Sequence, residues 1–358
     1  MHHTDSVRKE GADQMSKTSW IISHISAVLL LSATTSNLAT AVDWPLNLPV
    51  YDHIVIVVEE NKDYEQILGE GSAAPYLRQL AAEGANFTRM YAEEHFSQGN
   101  YFWLFSGSNH NIGFFDKVPK VPLQASNLGA QLISKGLSFK GYAEDLPAIG
   151  STVELVPPNC KGDACIYARK HVPWISFANV PNGTTVETSS NLRFTDFPTD
   201  YSKLPTVAIV VPNLVNDMHN GDPPDSIKAG NEWLEKKLGD YYQWAKSNNS
   251  LLIVTFDEND DKQHYIGLTN PLVRPDSAHD PDYKHYRHDL QNRTVTIFAG
   301  AHIKPGNYEE GNGITHVNIL RTIEAMYRLE KSGAQQPNAR GAGISDDQII
   351  TDVFDPIK

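Results

Sequence analysis

Short apolar runs and amphipathic stretches alternate along most of the chain. Residues 53–58, 206–211, 251–256 and 295–299 are apolar at nearly every position, which is typical of strands buried on both faces. Residues 74–83, 128–134, 231–246 and 315–329 instead carry apolar side chains at helical spacing. This alternation predicts an α/β fold, with a doubly wound, mostly parallel sheet flanked by helices.

The first 41 residues follow a different pattern. Lys17 precedes an apolar run over residues 20–31, and Ala39-Thr40-Ala41 forms an A-x-A cleavage pattern. This layout predicts a secretory signal peptide over residues 1–41. Because no repeat, low-complexity tract or clear linker divides residues 42–358, we expect them to form one domain. The run is short for a membrane span, so we expect no stable membrane insertion after cleavage; an uncleaved anchor is the alternative. The predicted location is secreted or extracellular, including a cell wall or vacuolar lumen.

Composition and charge exclude several classes of protein. The chain has 358 residues, of which 40% are hydrophobic, too many for a disordered protein. Its net charge is −13 and it contains no basic run, which argues against nucleic acid as a partner. The two cysteines, Cys160 and Cys165, predict a small disulfide loop in an oxidising compartment; a pair of metal thiolates is the alternative, but a second cysteine pair is lacking.

Four Asn-X-Ser/Thr triplets make the secreted chain a candidate glycoprotein. They occur at Asn86, Asn182, Asn248 and Asn292. Such triplets also arise by chance, and they predict glycosylation only in a cell that attaches glycans.

Carboxylates, amides and imidazoles are concentrated where the predicted strands end. They follow one of the first three strands or precede the fourth: Glu60, Asn61, Asp217, His219, Asp257, Glu258 and His288. In open α/β sheets, ligands bind beyond the carboxyl ends of the strands, and oxygen ligands suit hard or borderline cations. The pattern therefore predicts a site for a divalent metal ion. Taken singly, Asn61 could be a helix cap and residues 257–261 a solvated turn.

An EF-hand calcium loop is a further interpretation of the acidic run that begins at Asp257. Lys262 stands where that loop needs glycine, and Leu268 stands where it needs a bidentate glutamate. We therefore reject an EF-hand.

A second cluster, over residues 95–101, precedes an apolar stretch. Ser97 is placed near the N-terminus of the predicted helix, where backbone N–H groups and the helix dipole stabilise an anion. A serine hydroxyl is a poor nucleophile until a metal or base lowers its pKa. A plain helix-capping serine is the structural alternative.

At this point the residues resemble a known family, the phosphoesterases that include secreted acid phosphatases and bacterial-type phospholipases C, within the alkaline phosphatase superfamily. The matching blocks, in family order, are HIVIVVEENKDYEQILG from His53, HFSQGNYFWLFSGSNHNI from His95, GYAEDLP from Gly141, RKHVPWISFANV from Arg169, VPNLVNDMHNG from Val211, LLIVTFDENDD from Leu251, TVTIFAGAHIKPG from Thr294 and THVNILRTIE from Thr315. They span nearly the whole chain after residue 41, and their ordered set is the specific signal.

The resemblance implies roles for individual residues. Ser97 would be the nucleophile, forming a phosphoserine intermediate, and would also bind the metal. The other implied metal ligands are Glu60, Asn61, Asp257 and Glu258. His219 would contact phosphate or protonate the leaving group, and the implied substrate-binding residues are Asn100, His288 and Asp217. The family more commonly has proline on both sides of the serine, where this chain has Phe96 and Gly99.

These implications favour a secreted metal-dependent phosphoric monoester hydrolase, an acid phosphatase, with a small phosphate ester as substrate. The alternative within the family is a phospholipase C-type phosphodiesterase. A Ser-His-Asp esterase would need G-x-S-x-G at a strand-to-helix turn, and the sequences around Ser97, Ser106 and Ser108 do not match it. A non-enzymatic secreted binding protein is a further alternative, but it does not explain Glu60, Asn61, Ser97 and Asp257 together.

Overall fold

The computed structural model describes residues 42–45, 47–112, 116, 118–260 and 292–355. The strands are β1 (His53–Glu59), β2 (Ala85–Phe87), β3 (Met90–Tyr91), β4 (Phe139–Ala143), β5 (Leu155–Val156), β6 (Tyr167–Ala168), β7 (Asn191–Arg193), β8 (Val207–Val211), β9 (Ser250–Phe256), β10 (Arg293–Thr294), β11 (Thr296–Gly300) and β12 (Gly306–Tyr308). The helices are α1 (Tyr64–Leu68), α2 (Pro75–Glu83), α3 (Ser97–Ser106), α4 (Leu128–Ser134), α5 (Asp225–Ala245), α6 (His316–Met326) and α7 (Pro337–Gly341). The described residues belong to one compact unit.

An eight-stranded sheet in the order β12-β2-β11-β9-β1-β8-β4-β7 organises the fold. β1 pairs in parallel with β8 and β9, and β4 pairs in parallel with β7 and β8. β11 runs antiparallel to β9 and β2. The predicted mostly parallel sheet flanked by helices is thus confirmed.

Both faces of the sheet are buried, which explains the continuous apolar runs. In β1, Ile54, Ile56 and Val58 pack into one hydrophobic cluster, and Val55 and Val57 pack into the other. The first cluster also includes side chains of α3, α4 and α6, and the second includes side chains of α2 and α5. Because successive side chains point to opposite faces, a central strand covered on both sides is apolar at nearly every position.

The predicted elements exist, with shifted ends. The four predicted strands are β1, β8, β9 and β11, and the four predicted helices are α2, α4, α5 and α6. α5 begins at Asp225 rather than residue 231, because Ile227 extends its buried face beyond the obvious apolar spacing. α6 ends at Met326 rather than residue 329, where Arg328 adopts a left-handed backbone with φ 52° that does not continue a right-handed helix.

The cysteine pair and the glycosylation triplets have different outcomes. Cys160 and Cys165 form a disulfide, as predicted. Asn86 and Asn292 are buried, so in the folded chain neither amide is open to a glycan. Asn182 is exposed and Asn248 is partly exposed. Across the described ranges, no helix combines the length and apolar character that crossing a bilayer requires. The predicted signal peptide lies outside the described residues.

Candidate active site

Three loops at the carboxyl edge of the sheet bring the acidic residues together. Glu60 follows β1, Asp217 follows β8 and Asp257 follows β9, and all three carboxyls are buried. The backbone joins these loops, since Glu60 N–H donates to Asp217 O at 2.7 Å and Asp257 N–H donates to Glu59 O at 2.9 Å. The parallel register of β1 with β8 and β9 therefore places the three strand ends side by side.

The antiparallel strand explains why residues before β11, rather than after it, reach the same edge. β11 enters the sheet at the end where β9 leaves it. Asn292, just ahead of this strand, accepts a hydrogen bond from Asn259 N–H at 2.8 Å through its Oδ1. His288, predicted to bind substrate from this segment, lies outside the described residues.

Ser97 is the first residue of α3 and is buried beside Glu60. Its Oγ donates a hydrogen bond to Glu60 Oε2 at 2.9 Å. The other carboxylate oxygen, Glu60 Oε1, accepts a hydrogen bond from the Tyr101 hydroxyl at 2.6 Å. One turn of helix thus holds both oxygens of Glu60 and orients the serine hydroxyl towards a carboxylate.

The backbone beside these residues takes uncommon conformations. Asn61, Phe96 and Met218 have φ of 48°, 84° and 76°, in a region that side-chain-bearing residues seldom adopt. Each one is adjacent to a residue of the site: Glu60, Ser97 or Asp217. Such strain persists only where the surrounding structure fixes it, and it concentrates at functional sites.

His171 is one of the residues of the site that the sequence analysis did not single out. It lies in a short 3₁₀ turn, Arg169–His171, and its ring stacks on Tyr101 with centroids 5.0 Å apart and planes at 5°. Its Nε2 lies 3.3 Å from Glu60 Oε1, and its Nδ1 lies 3.9 Å from Asp217 Oδ2. The only sequence signal was its place in the RKHVPWISFANV block, because an irregular turn has no periodicity.

Glu60, His171 and Asp217 could hold a metal ion together. Each offers one ligand atom, and the three atoms lie within 4.8 Å of one another. Within the described part of the chain, Asp217 Oδ2, Asp257 Oδ2 and His171 Nε2 are buried without a hydrogen-bond partner. Buried oxygens and a ring nitrogen that lack donors or acceptors are the groups a cation would satisfy.

Asn61 and Glu258 complete a second side of this acidic cluster. Asn61 N–H donates to Asp257 Oδ1 at 3.1 Å. One terminal atom of the Asn61 amide lies 3.2–3.3 Å from carboxylate oxygens of Glu60, Asp257 and Glu258. As an NH₂ group it would donate to them; as a carbonyl oxygen it would share a cation with them. Both the donor set and its crowding fit a divalent metal.

The electrostatics favour a bound cation. Burial and the neighbouring Asp257 and Asp217 raise the pKa of Glu60 well above its usual range. Burial also raises the pKa of Asp217 and of Asp257, and it lowers the pKa of His171, with help from Lys170 and His219. Ionised carboxylates in such a place need a compensating positive charge, and a neutral imidazole is the ligand form of histidine.

Lys62 supplies part of that charge. Its ammonium is buried and donates to Asn61 O at 3.0 Å and to Met218 O at 2.8 Å. Lys62 N–H donates to Glu258 O at 3.2 Å. This one residue therefore ties together the loops that follow β1, β8 and β9.

The remaining predicted residues lie at the edges of the cluster. His219 is partly buried, and its Nδ1 lies 3.0 Å from Asn220 Oδ1. Asn100 Oδ1 accepts hydrogen bonds from Glu93 N–H and Glu94 N–H, and its Nδ2 donates to Glu94 O. In the structure Asn100 thus holds the loop that precedes Ser97, and phosphate binding by Asn100 stays a prediction.

Comparisons with known proteins identify the family of the chain. The Phosphoesterase family model matches residues 70–330. A phosphatidylinositol-3-phosphatase of Mycobacterium tuberculosis is 41% identical over 286 residues, which are 80% of this chain and 80% of that protein. A probable acid phosphatase of Kluyveromyces lactis is 30% identical over 246 residues, 66% of this chain; the aligned region spans only 56% of that longer protein.

A solved structure from Vibrio parahaemolyticus, described as a protein in the alkaline phosphatase superfamily, is 13% identical with a TM-score of 0.49; the match covers 86% of this chain and 75% of that one. The assignment of the chain to a family rests on the family model and on the 41% identical relative. The chain belongs to the phosphoesterase family and is a hydrolase that acts on phosphate esters.

Proposed function

We propose that this chain is a secreted, metal-dependent phosphoric monoester hydrolase, an acid phosphatase, that acts through a phosphoserine at Ser97. The observation that carries the proposal is the bond from Ser97 Oγ to Glu60 Oε2, inside a buried cluster of potential metal ligands. A hydroxyl at a helix N-terminus beside a cation site is suited to attack phosphorus.

Different residues of the chain would bind the metal and the phosphate in the proposed reaction. Glu60, Asn61, Asp217, Asp257, Glu258 and His171 are the groups available to hold a divalent metal. When bound, that metal favours the serine alkoxide and neutralises charge on the phosphoryl oxygens. The N-terminus of α3 adds a favourable potential for the phosphate anion.

Two bond exchanges complete the proposed cycle. Ser97 Oγ passes its proton to Glu60 Oε2, to which it is hydrogen-bonded, and forms a bond to phosphorus while the bond to the ester oxygen breaks. The departing oxygen takes a proton from Nε2 of the imidazolium form of His219, whose Nδ1 faces Asn220 Oδ1. Water then attacks the phosphoserine and gives a proton back to His219 Nε2, while the Ser97 oxygen leaves phosphorus and recovers its proton from Glu60, and inorganic phosphate departs.

A monoester fits better than a diester. The mycobacterial relative is named for removing the 3-phosphate of a phosphatidylinositol, and such a phosphate is a monoester on a lipid headgroup. We therefore include phosphoinositide monoesters among the substrates. The net charge of −13 repels phosphate esters, and protonation of exposed side chains at acidic pH weakens that repulsion, which favours acidic conditions.

The test compares three substrates on one enzyme preparation. Purified protein is assayed from pH 4.5 to 8 on an aryl phosphomonoester, on dispersed phosphatidylinositol 3-phosphate and on phosphatidylcholine, with and without EDTA and added divalent metals. We expect monoester hydrolysis that EDTA abolishes. Preference for phosphatidylcholine would instead identify a phospholipase C-type phosphodiesterase.

Matched serine variants test the mechanism. Ser97→Ala and Asp257→Asn should each lower kcat by about 10³-fold or more. Ser106 is also buried in α3, but its hydroxyl bonds to Phe102 O, so Ser106→Ala should stay active. Full activity of Ser97→Ala would exclude the phosphoserine. For secretion, mass spectrometry of protein from the medium should show a chain that begins at Val42.

A further inference from the structure

A buried histidine lies behind the candidate site, at the first residue of α6. His316 is 1% exposed. Its Nδ1 lies 2.6 Å from Glu93 Oε2, and its Nε2 lies 2.9 Å from Phe256 O. Neither the proposed nucleophile nor any of the candidate metal ligands is in hydrogen-bond contact with this ring, so the proposed reaction leaves it without a role.

The two contacts determine the charge of the ring. A carbonyl oxygen only accepts hydrogen bonds, and so does an ionised carboxylate. When Glu93 is ionised both ring nitrogens donate, and His316 is then an imidazolium paired with Glu93. Burial alone would lower the pKa of His316, but Glu93 and the Phe256 carbonyl outweigh it and raise this pKa.

The contact of His316 Nε2 with Phe256 O connects the ring to Asp257, a candidate metal ligand. Phe256 is the last residue of β9 and immediately precedes Asp257. The ring thus holds the carbonyl of the peptide bond that carries the Asp257 backbone. Movement of His316 would shift this peptide and the Asp257 carboxylate with it.

The contact of His316 Nδ1 with Glu93 connects the ring, through neighbouring residues, to the helix that begins at Ser97. Glu93 N–H and Glu94 N–H both donate to Asn100 Oδ1 at 3.1 Å, and Asn100 lies one turn into the helix that Ser97 begins. The second oxygen of Glu93 accepts Val317 N–H at 3.1 Å, which fixes the carboxylate against the start of α6. The segment before Ser97 and the end of β9 therefore meet at one imidazole ring.

From this geometry we infer that His316 is a positioning residue, which sets the distance between Ser97 and Asp257 by bridging Glu93 and the Phe256 carbonyl. The inference rests on the proposed function, since it assigns catalytic meaning to that distance. If the pair only stabilises the fold, its loss lowers the melting temperature without a specific effect on turnover.

The experiment compares His316→Gln with His53→Gln in the full chain. His53 Nδ1 also lies within hydrogen-bond distance of a backbone carbonyl, Pro205 O at 3.1 Å, but at the opposite end of β1. We expect His316→Gln to lower kcat on an aryl phosphomonoester by about 10- to 100-fold, as loss of an outer partner of a metal site does, with KM changed less than about threefold. His53→Gln should keep the wild-type kcat. Assays run well below the melting temperature of each variant.

Glu93→Asp covers the case in which His316→Gln does not fold. It keeps the negative charge but withdraws the carboxylate from Nδ1 by one methylene group, and we expect a lower kcat from this variant as well. Calorimetric titration with the divalent cation that activates the wild type should show weaker binding by both variants.

The outcomes separate the two hypotheses. Wild-type kcat in a folded His316→Gln, or in Glu93→Asp if His316→Gln does not fold, would overturn the positioning role and leave the proposed function intact. A wild-type protein that neither binds a divalent cation nor hydrolyses monoesters would instead refute the proposed function.

Discussion

The carboxylate of Glu60 is fixed by hydroxyl groups on both sides. Ser97 donates to one oxygen and Tyr101 to the other, while the Tyr101 ring also stacks on His171. One tyrosine therefore orients two of the groups that could bind metal. Because a partner that orients a ligand lowers the freedom of that ligand before binding, its loss weakens metal affinity.

Replacement of Tyr101 by phenylalanine should weaken metal binding. Tyr101→Phe keeps the stacked ring but removes the 2.6 Å hydrogen bond to Glu60, and we expect metal affinity to fall about 10- to 100-fold, measured by calorimetry. Tyr167 provides the control, because its buried hydroxyl has no partner among the described residues. Equal affinities of Tyr101→Phe and Tyr167→Phe would contradict this role.

The sequence patterns predicted the acidic residues of the candidate site but not the residues that contact and orient them. Glu60 and Asp257 stand out because each directly follows a buried strand in the chain. His171, Glu93 and His316 do not, because their roles depend on burial beside residues far away in sequence. Ion pairs and ring stacking of this kind leave no periodic signal in the chain.

At the scale of the element, α3 explains a departure from the family pattern. Gly99 stands where the family more commonly has proline, and a Cβ at this position would lie 2.6 Å from Glu94 Cδ. The Glu94 carboxylate accepts hydrogen bonds from Trp103 Nε1 and Asn109 Nδ2, so it cannot move aside freely. The absence of a side chain at Gly99 makes room for a buried acid.

Two helical glycines should therefore respond oppositely to alanine. Gly99→Ala should lower the free energy of unfolding by about 1–3 kcal/mol, because the added methyl overpacks against Glu94. At Gly239 in α5 the nearest atom to a new Cβ is Tyr76 Oη at 3.6 Å, and Gly239→Ala should raise that free energy by about 0.5–1 kcal/mol. Denaturant titration measures both, and a stabilised Gly99→Ala would disprove the packing argument.

The strands were predicted correctly from the sequence, but the ends of the helices α5 and α6 were not, and both outcomes follow from how the elements are buried. β1 and β9 are covered on both faces, so nearly every position between their ends is apolar and the continuous run marks each strand. The start of α5 is buried on one side only, and its first turns contain Asp225 and Ser226, which dilute the pattern. The order of strands in the sheet, including the antiparallel β11, depends on contacts that no local pattern encodes.

At the scale of the whole molecule, several acids keep their protons up to near-neutral pH, because their pKa values are raised. Burial raises the pKa of Glu94 to about 7. Burial and Asp260 raise the pKa of Asp63 to about 7, and burial and Asp352 raise that of Glu310 to about 8. The folded chain keeps these protons where the unfolded chain has released them. Their contribution to stability is therefore complete below about pH 4 and disappears as pH rises through about 7 to 8.

Thermal stability should decrease between pH 5 and pH 8. In EDTA, which removes metal effects, we expect the melting temperature to fall over this range. Glu310→Gln should flatten part of the fall, since the amide does not ionise beside Asp352. Glu235→Gln, on the exposed face of α5, should keep the wild-type slope. A melting temperature that rises from pH 5 to pH 8 would contradict the assignment.

The burial of Asn292 has a consequence for where this chain can be made. Its Nδ2 donates to Glu94 O at 2.8 Å and its Oδ1 accepts Asn259 N–H, within an Asn-Arg-Thr triplet. Oligosaccharyltransferase acts on nascent chains before they fold, and a sugar at this amide would prevent both bonds. A eukaryotic secretory host would therefore produce a misfolded, glycosylated fraction of the protein. Asn292→Asp would prevent glycosylation but would lack the NH₂ group that donates to Glu94 O. Thr294→Val would remove the Asn-Arg-Thr triplet and keep the Asn292 amide.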